Sequence, residues 1–144
     1  MMFRLATRGE ASRLAQIEHL QPLSAGWEES GFKTELDNRY AQIWVCTQGE
    51  KIIGFVALRA VAGVVEILNV AVEPQSCCRG VASALLMHVL AQLKAQGNEQ
   101  VSLEVNATNL PALRLYRKVG FKEVGRRPKF YRGLEDALIL GKQL

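Results

Sequence analysis

One stretch of the chain decides the fold. It runs from Val64 to Leu86 and reads VVEILNVAVEPQSCCRGVASALL. Its first part, Val64–Val72, is rich in β-branched side chains and predicts a strand. A polar loop follows over Glu73–Arg79, and from Gly80 onward the apolar residues recur at helical spacing. The stretch therefore predicts a strand, a loop and a helix that begins at a glycine.

The residues before this stretch predict a strand meander. Ile43–Thr47 and Ile52–Ala60 flank the turn-forming residues Gln48–Lys51, which indicates a hairpin. Together with Val64–Val72 they predict three consecutive antiparallel strands. The other upstream predictions are a strand over Phe3–Ala6, a helix toward Leu20 with capping-box spacing at Thr7 and Glu10, and a helix or partly irregular segment over Trp27–Asn38.

The residues after it predict alternating helices and strands. Gly80–Gln96 carries one apolar stripe, about 25 Å long at 1.5 Å per residue. The later predictions are a strand over Val101–Val105, a helix over Leu110–Val119 capped by Asn109, and strands over Phe121–Arg127 and Ala137–Leu140. This order predicts an α+β or layered α/β fold, with helices packed on a mostly antiparallel sheet.

Length and composition exclude several classes of protein. A chain of 144 residues suits one domain, here 1–144, and its ordinary apolar and charged content excludes a disordered chain. No apolar run approaches the roughly 18–20 residues of a membrane span, and Met1–Glu10 lacks the apolar block of a signal peptide. The cysteines Cys46, Cys77 and Cys78 lack metal-ligand spacing. We therefore expect a cytoplasmic protein without a metal or a disulfide.

The charge of +4 is unevenly distributed. Between Arg114 and Arg132 there are eight basic residues and one acid, Glu123, whereas the rest of the chain has a net charge of −3. This basic block has two explanations of equal weight. It is a solvated face, or it attracts an anionic partner such as a phosphorylated cofactor or an RNA-bearing particle. No nucleic-acid-binding module accompanies it, so we expect no direct nucleic-acid binding.

Two groups of residues are candidates for chemistry. The first is Arg79 with Gly80 and Ala82 at a helix start, where unpaired backbone N–H groups suit phosphate, although a plain turn into a helix gives the same pattern. The second is Glu104 on a strand and Tyr116 on the next helix, a possible base and acid. By spacing alone, an edge-exposed Glu and a core Tyr with a satisfied hydroxyl explain that pair better than a base and an acid do.

Three segments resemble the GNAT superfamily of N-acetyltransferases. They read NVAVEP (69–74), RGVASALL (79–86) and LYRKVGF (115–121). Three others are similar to its RimI-type branch, the ribosomal-protein alanine N-acetyltransferases: Trp27-Glu28, LEVNATN (103–109), and Arg126 through Tyr131 to Glu135-Asp136-Ala137. The resemblance spans nearly the whole chain and is weakest between Gly31 and Ile52.

The resemblance implies a GNAT fold, with about six to seven strands and helices on both faces of the sheet. It implies acetyl-CoA as co-substrate, with the pantetheine arm on the backbone of one strand and the pyrophosphate on backbone N–H groups of the loop and helix start. The implied cofactor-binding residues are Val70, Ala71, Val72, Cys78, Arg79, Gly80, Val81, Ala82, Ser83 and Asn109.

The pyrophosphate loop departs from the usual pattern of Gln/Arg-x-x-Gly-x-Gly/Ala. Cys77 occupies its first position, and Cys78 stands where Gly or a polar residue is usual. Because any non-proline residue supplies a backbone N–H, we expect phosphate binding to survive. Direct attack on the thioester needs no acyl-enzyme, so neither cysteine is assigned a nucleophilic role.

The resemblance also implies the roles of the acceptor side. Glu104 matches the general base and Tyr116 the general acid. Tyr131 is placed at the acceptor site, and Trp27 is placed there or in simple packing. The implied acceptor is the N-terminal alanine of a ribosomal protein. Two alternatives stay open, namely an enzyme that acetylates a small amine or a lysine, and a catalytically idle acetyl-CoA-binding module.

Overall fold

The computed structural model describes residues 1–22, 25–77 and 79–144. In this part of the chain, seven strands form one sheet and four α-helices pack on it. The strands are β1 (Met2–Leu5), β2 (Ala41–Gln48), β3 (Lys51–Val61), β4 (Val64–Val72), β5 (Gln100–Asn106), β6 (Lys122–Tyr131) and β7 (Glu135–Gln143). The helices are α1 (Ala11–His19), α2 (Glu29–Asp37), α3 (Val81–Ala95) and α4 (Leu110–Lys118).

The sheet is mixed and mostly antiparallel, as predicted. Its strand order is β1-β2-β3-β4-β5-β7-β6, and within the described chain the single parallel pair is β4 with β5. The predicted antiparallel meander of β2, β3 and β4 is confirmed. Because parallel neighbours need a crossover connection, the chain passes through α3 between β4 and β5.

Helices cover both faces of the sheet, which confirms the predicted layers. On one face α3 and α4 bury Leu85, Leu86 and Leu113 in a cluster with apolar side chains of β2, β3, β4 and β5. On the other face α1 and α2 bury Leu14 and Phe32 against β2 and β3. The middle of β3 is buried for seven consecutive residues because it is covered from both sides. No helix among the described residues is long and apolar enough to cross a membrane.

The last hairpin is longer than the sequence pattern predicts. The predicted strands were Phe121–Arg127 and Ala137–Leu140, whereas β6 extends to Tyr131 and β7 begins at Glu135. β6 is an edge strand whose side chains are almost all exposed, so it carries no hydrophobic alternation. Its register against β7 is irregular, and the carboxylate of Asp136 accepts a hydrogen bond from the backbone N–H of Lys129 at 2.9 Å.

A buried carboxylate fixes the end of β4. Glu73, 3% exposed, accepts hydrogen bonds from Arg13 at 2.6 Å and from Ser76 at 2.9 Å, and Lys51 lies 3.2 Å away. Burial by itself raises the pKa of Glu73, but the hydrogen bonds from Ser76, Arg13 and Lys51 outweigh it and lower the pKa. These contacts hold the loop after β4 against α1 and β3.

Replacing Glu73 with Gln is expected to lower the free energy of unfolding by about 2 kcal/mol, because a buried ion pair loses its anion while its partly exposed cations can rehydrate. The pKa is lowered in the folded state, so the wild-type advantage is present above the usual value of 4.5 and is lost as pH falls through the folded pKa. Urea unfolding measures this difference. Glu50→Gln, in the exposed β2–β3 turn, is the control, and equal stabilities of the two variants would contradict the prediction.

Candidate active site

The site forms where β4 and β5 separate. The two strands pair from Val64 with Gln100 to Ile67 with Leu103, and then diverge. The register of β4 against β3 shifts at the same point, because Ala57 is opposite Asn69 while Leu58 is opposite Ile67. The extra residue is Leu68, and such a bulge bends its strand. The bulge on β4 therefore lies at the start of the gap in the sheet.

Backbone groups of β4 face this gap. The Glu73 N–H donates to Ile53 of β3 at 2.8 Å, whereas the Val72 carbonyl points away from β3 and accepts from Gln21 Nε2 at 3.0 Å. Backbone groups alternate sides along a strand, so Val70 and Val72 direct their N–H groups toward the gap, while those of Ala71 face β3. Of the three predicted strand residues, two can offer backbone N–H groups to a bound molecule.

A cleft of about 640 Å³ runs from this gap to the start of α3. The predicted cofactor-binding residues that line it are Val70, Ala71, Val72, Gly80, Val81, Ala82, Ser83 and Asn109. Arg79 is exposed beside the helix start and is not part of the lining. The predicted residue Cys78 lies outside the described residues. Cys77 lines the cleft, and its Sγ lies 3.5 Å from the Glu73 carbonyl, far along the chain from Glu104.

The start of α3 suits an anionic ligand. Gly80 has a φ of +76°, a conformation that favours glycine, and α3 has no acidic residue in its first turn. Within the described chain no side chain caps this end of the helix, so the first backbone N–H groups point into the cleft without a protein partner. With the dipole of a 15-residue helix behind them, these groups can bind phosphate oxygens.

Part of the basic block lies in the wall of this cleft. Arg114 and Lys118, on one face of α4, are lining residues, whereas their neighbour Arg117 is exposed and is not. Neither Arg114 nor Lys118 makes an ion pair with another described residue. This placement favours a phosphorylated cofactor as the reason for these two charges. The spacing of α4 could have indicated it, since the two residues are four apart.

A second cavity of about 400 Å³ adjoins the cleft and contains both predicted catalytic residues. Asn69, Val70, Asn109 and Tyr116 are among the residues that line both spaces. Glu104 projects from β5 on the side opposite its buried neighbours, as predicted, and Tyr116 comes from α4 on the other face of the sheet. The gap between β4 and β5 is what brings them to one cavity.

Glu104 is partly exposed and ion-paired. Its side chain is 28% exposed, and its Oε1 lies 3.0 Å from Nη2 of Arg127. Arg127 belongs to β6, and its guanidinium also lies over the ring of Phe130 at 5.5 Å. The guanidinium therefore orients the carboxylate of Glu104 through a charge-assisted contact. No local sequence pattern indicates this pair, because it depends on the irregular register of the last hairpin.

Tyr116 is buried, yet its hydroxyl is not engaged. The residue is 8% exposed and packs on Phe121, and its hydroxyl has no hydrogen-bond partner among the described residues. The hydroxyl is not fully buried, and Tyr116 lines the cavity, so the hydroxyl lies at the cavity surface. Burial, together with the nearby Tyr131, raises the pKa of Tyr116 to about 12. The phenol therefore stays protonated at physiological pH.

The two predicted acceptor residues lie in different places. Tyr131 lines the 400 Å³ cavity, and burial and the charge of Glu104 raise its pKa. Trp27 packs edge-on against Phe32 in the core under α1 and α2, with ring centroids 5.2 Å apart, and it does not line the cavity. The contacts of Trp27 are therefore packing contacts, and its role in acceptor binding stays a prediction.

Sequence reasoning missed two acidic residues, Glu18 at the cleft and Glu135 at the cavity. Buried Glu18 of α1 accepts hydrogen bonds from the Asn69 side chain and from the Ala25 backbone N–H, which ties the α1–α2 connection to the bulge of β4. Glu135 of β7 also lines the cavity. In the described chain no group of three or more His, Cys, Asp or Glu residues could hold a metal ion.

Comparisons with known proteins agree with this geometry. The Acetyltransferase (GNAT) family matches residues 12–121. The ribosomal protein bS18-alanine N-acetyltransferase of Escherichia coli strain K12 is 33% identical over 133 residues, which cover 90% of this chain and 86% of that protein. The crystal structure of the S18-alanine N-acetyltransferase from Escherichia coli superposes with a TM-score of 0.91 at 27% identity, covering 99% and 92% of the two chains. Arabidopsis thaliana NAA60, solved with a bisubstrate analogue, gives a TM-score of 0.85 at 25% identity, covering 99% and 97%.

The protein is of the acetyltransferase class. This class is defined by the gap in the sheet, by the open helix start beside it and by these matches. The chain belongs to the GNAT family. Membership implies acetyl-CoA as the co-substrate. The cleft fits that molecule, because it offers strand N–H groups at one end and an uncapped helix start with two cations at the other.

Proposed function

We propose that this protein transfers the acetyl group of acetyl-CoA to the N-terminal alanine amine of a ribosomal protein. The observation that carries the proposal is the meeting of Glu104 and Tyr116 in a cavity that opens into the cofactor cleft. Similarity to the Escherichia coli enzyme that acts on bS18 supports the choice of acceptor. A ribosomal acceptor would place the reaction in the cytoplasm.

Acetyl-CoA supplies an acetyl thioester whose carbonyl accepts the nucleophile. The backbone N–H groups of Val70 and Val72 hold and orient it, and they are placed to stabilise negative charge on that carbonyl oxygen. The N–H groups at the start of α3 bind its phosphates. Asn109 caps α4 by accepting from the Ala112 N–H at 3.3 Å, and the residue lines both the cleft and the cavity.

Glu104 removes a proton from the acceptor ammonium, directly or through water, so that the neutral amine attacks the thioester. Arg127 positions the carboxylate of Glu104 through their ion pair. Tyr116 donates its phenolic proton to the departing thiolate of CoA. Because the hydroxyl is protonated and unengaged, it is available for this step without breaking another bond.

The choice of an α-amine over a lysine side chain has a physical basis. An α-amine has a pKa of about 7.7–8.0 and a lysine side chain one of about 10.4. Neutralising lysine at pH 7 therefore costs about 3.5 kcal/mol more, at 1.36 kcal/mol for each unit. One partly exposed carboxylate is therefore a sufficient base for an α-amine but a weak base for a lysine side chain.

The direct test measures free CoA released from acetyl-CoA with three kinds of acceptor. These are short peptides with a free N-terminal Ala, the same peptides blocked at the N-terminus and carrying Lys, and several small amines. Turnover only with the free N-terminus supports the proposal. Turnover with blocked peptides or small amines moves the acceptor to another class, and binding of acetyl-CoA without turnover supports an idle binding module or a missing partner.

Neutralising the two cations of the cleft is expected to weaken acetyl-CoA binding. Arg114→Gln with Lys118→Gln removes two charges from the wall, and we expect the Kd to rise about tenfold at low salt and less at high salt, since partly exposed charges are screened. Isothermal titration with acetyl-CoA measures this. Arg117→Gln is the control, on the same helix but outside the cleft. Equal effects of Arg117→Gln and the double variant would assign the effect to net charge instead.

A further inference from the structure

Glu135 has a carboxylate oxygen without a partner. Its Oε2 is buried, and it is the single buried side-chain oxygen or nitrogen without a hydrogen bond in the described chain. No described residue forms an ion pair with Glu135. A carboxylate whose charge no protein donor compensates is costly, and Glu135 lines the cavity, so a donor on a bound ligand can supply the missing partner.

Two arginines of β6 near Glu135 bind other acids. Arg126 pairs with Asp136 at 2.8 Å and with Glu123 at 3.6 Å. Arg127 pairs with Glu104 at 3.0 Å. The hairpin therefore satisfies three neighbouring carboxylates with its own cations and leaves Glu135 unpaired, although Glu135 lines the acceptor cavity. Exposed Arg132 also lines this cavity, and it makes no ion pair with a described residue.

The position of Glu135 relative to Glu104 indicates which part of an acceptor it meets. Glu104 is the register partner of Ile139, and Glu135 lies four residues away on the same face of β7. Four residues of a strand span about 13 Å. An acceptor whose reacting amine is at Glu104 can therefore bring the side chain of one of its next three residues to Glu135, since extended chain spans about 3.3–3.6 Å per residue.

We propose that Glu135 selects the acceptor, by accepting a hydrogen bond from a cationic side chain within residues 2 to 4 of the acceptor peptide. The inference rests on the proposed acetyl transfer to an N-terminal amine and adds a specificity residue to it. A cation is the partner that a partly buried carboxylate in a cavity takes, because a neutral donor leaves its charge uncompensated. Glu135 thus acts on acceptor binding and not on the chemical step.

The test uses arginine and citrulline, which differ in charge but hardly in shape. Peptides that begin with Ala carry one or the other at position 2, 3 or 4, with Ser elsewhere, and CoA release gives kcat and KM. At one of the positions we expect the wild type to favour arginine by about tenfold, through KM. Glu135→Gln is expected to bring that ratio close to one, while turnover of the citrulline peptide changes little.

Glu123→Gln is the matched control, because it removes an acidic charge from the same hairpin outside the cavity, and it is expected to keep the wild-type ratio. The inference is overturned if the wild type shows no preference at any position, if Glu135→Gln keeps the preference, or if it impairs both peptides equally. Turnover of the citrulline peptides by the wild type reports separately on the proposed function. If no peptide is acetylated, both proposals fall.

Discussion

Replacing Glu104 with Gln is expected to lower kcat at pH 7 by about 10²–10⁴-fold and to leave the Kd for acetyl-CoA within about twofold. The amide cannot accept the ammonium proton, whereas the cofactor cleft does not include Glu104. The defect is expected to shrink as pH rises above about 8, because the α-amine then loses its proton to solvent. CoA release from pH 6.5 to 9.5 and calorimetry with acetyl-CoA measure the two effects.

Glu66→Gln is the control for Glu104→Gln, because Glu66 is an exposed carboxylate on the neighbouring strand and lines neither the cleft nor the cavity. It is expected to retain wild-type turnover. Unchanged turnover of Glu104→Gln at pH 7 would remove Glu104 from the mechanism. A defect of the same size at every pH would assign Glu104 to binding or orientation of the acceptor instead of proton transfer.

The catalytic arrangement depends on a defect in the sheet. If β4 and β5 paired over their full length, a continuous sheet would separate Glu104 on one face from Tyr116 on the other. The bulge at Leu68 separates the strands after Ile67, and this separation exposes N–H groups of β4 and joins the two faces of the sheet. The same irregularity therefore accounts for the proposed thioester site and for the cavity that the proposed base and acid share.

Elements with strong local patterns were predictable from the sequence. β4 begins and ends where its β-branched run predicts, and α3 differs by one residue at each end because its apolar stripe is bounded by glycines. The length of β6 was underestimated. Hydrogen bonds to β7 hold this exposed edge strand, and its exposed side chains show no periodic pattern. A strand therefore shows an alternating hydrophobic pattern in the sequence only where one of its faces is buried.

The candidate site also has features that the sequence predicts and features that it does not. The alternation of β5 and the apolar stripe of α4 predicted the faces on which Glu104 and Tyr116 lie, and only the resemblance predicted that they act together. Their meeting depends on the gap in the sheet, which no local pattern encodes. The Arg127–Glu104 pair joins β6 to β5 across β7, between residues 23 positions apart, and the surroundings of Glu135 depend on the irregular register of β6 with β7.

Replacing Tyr116 with Phe is expected to lower kcat by about 10²-fold and to leave acetyl-CoA binding and the free energy of unfolding at pH 7 nearly unchanged. The proton donor is lost, yet the ring still fills its site, and the hydroxyl makes no hydrogen bond with a described residue that folding would miss. The control is Tyr40→Phe, which removes a phenol far along the chain that contacts Arg39. A kcat for Tyr116→Phe within about twofold of wild type would assign the proton transfer to water.

The pH dependence separates this acid from the base. Because the pKa of Tyr116 is about 12, wild-type turnover is expected to persist to pH 10, where a phenol of ordinary pKa would be half ionised. The defect of Tyr116→Phe is therefore constant between pH 7 and 10, whereas that of Glu104→Gln shrinks over the same range. The raised pKa also stabilises the fold below pH 10, and this contribution is lost as pH rises through 12. An alkaline fall in turnover near pH 10, absent from Tyr116→Phe, would contradict the burial of this phenol.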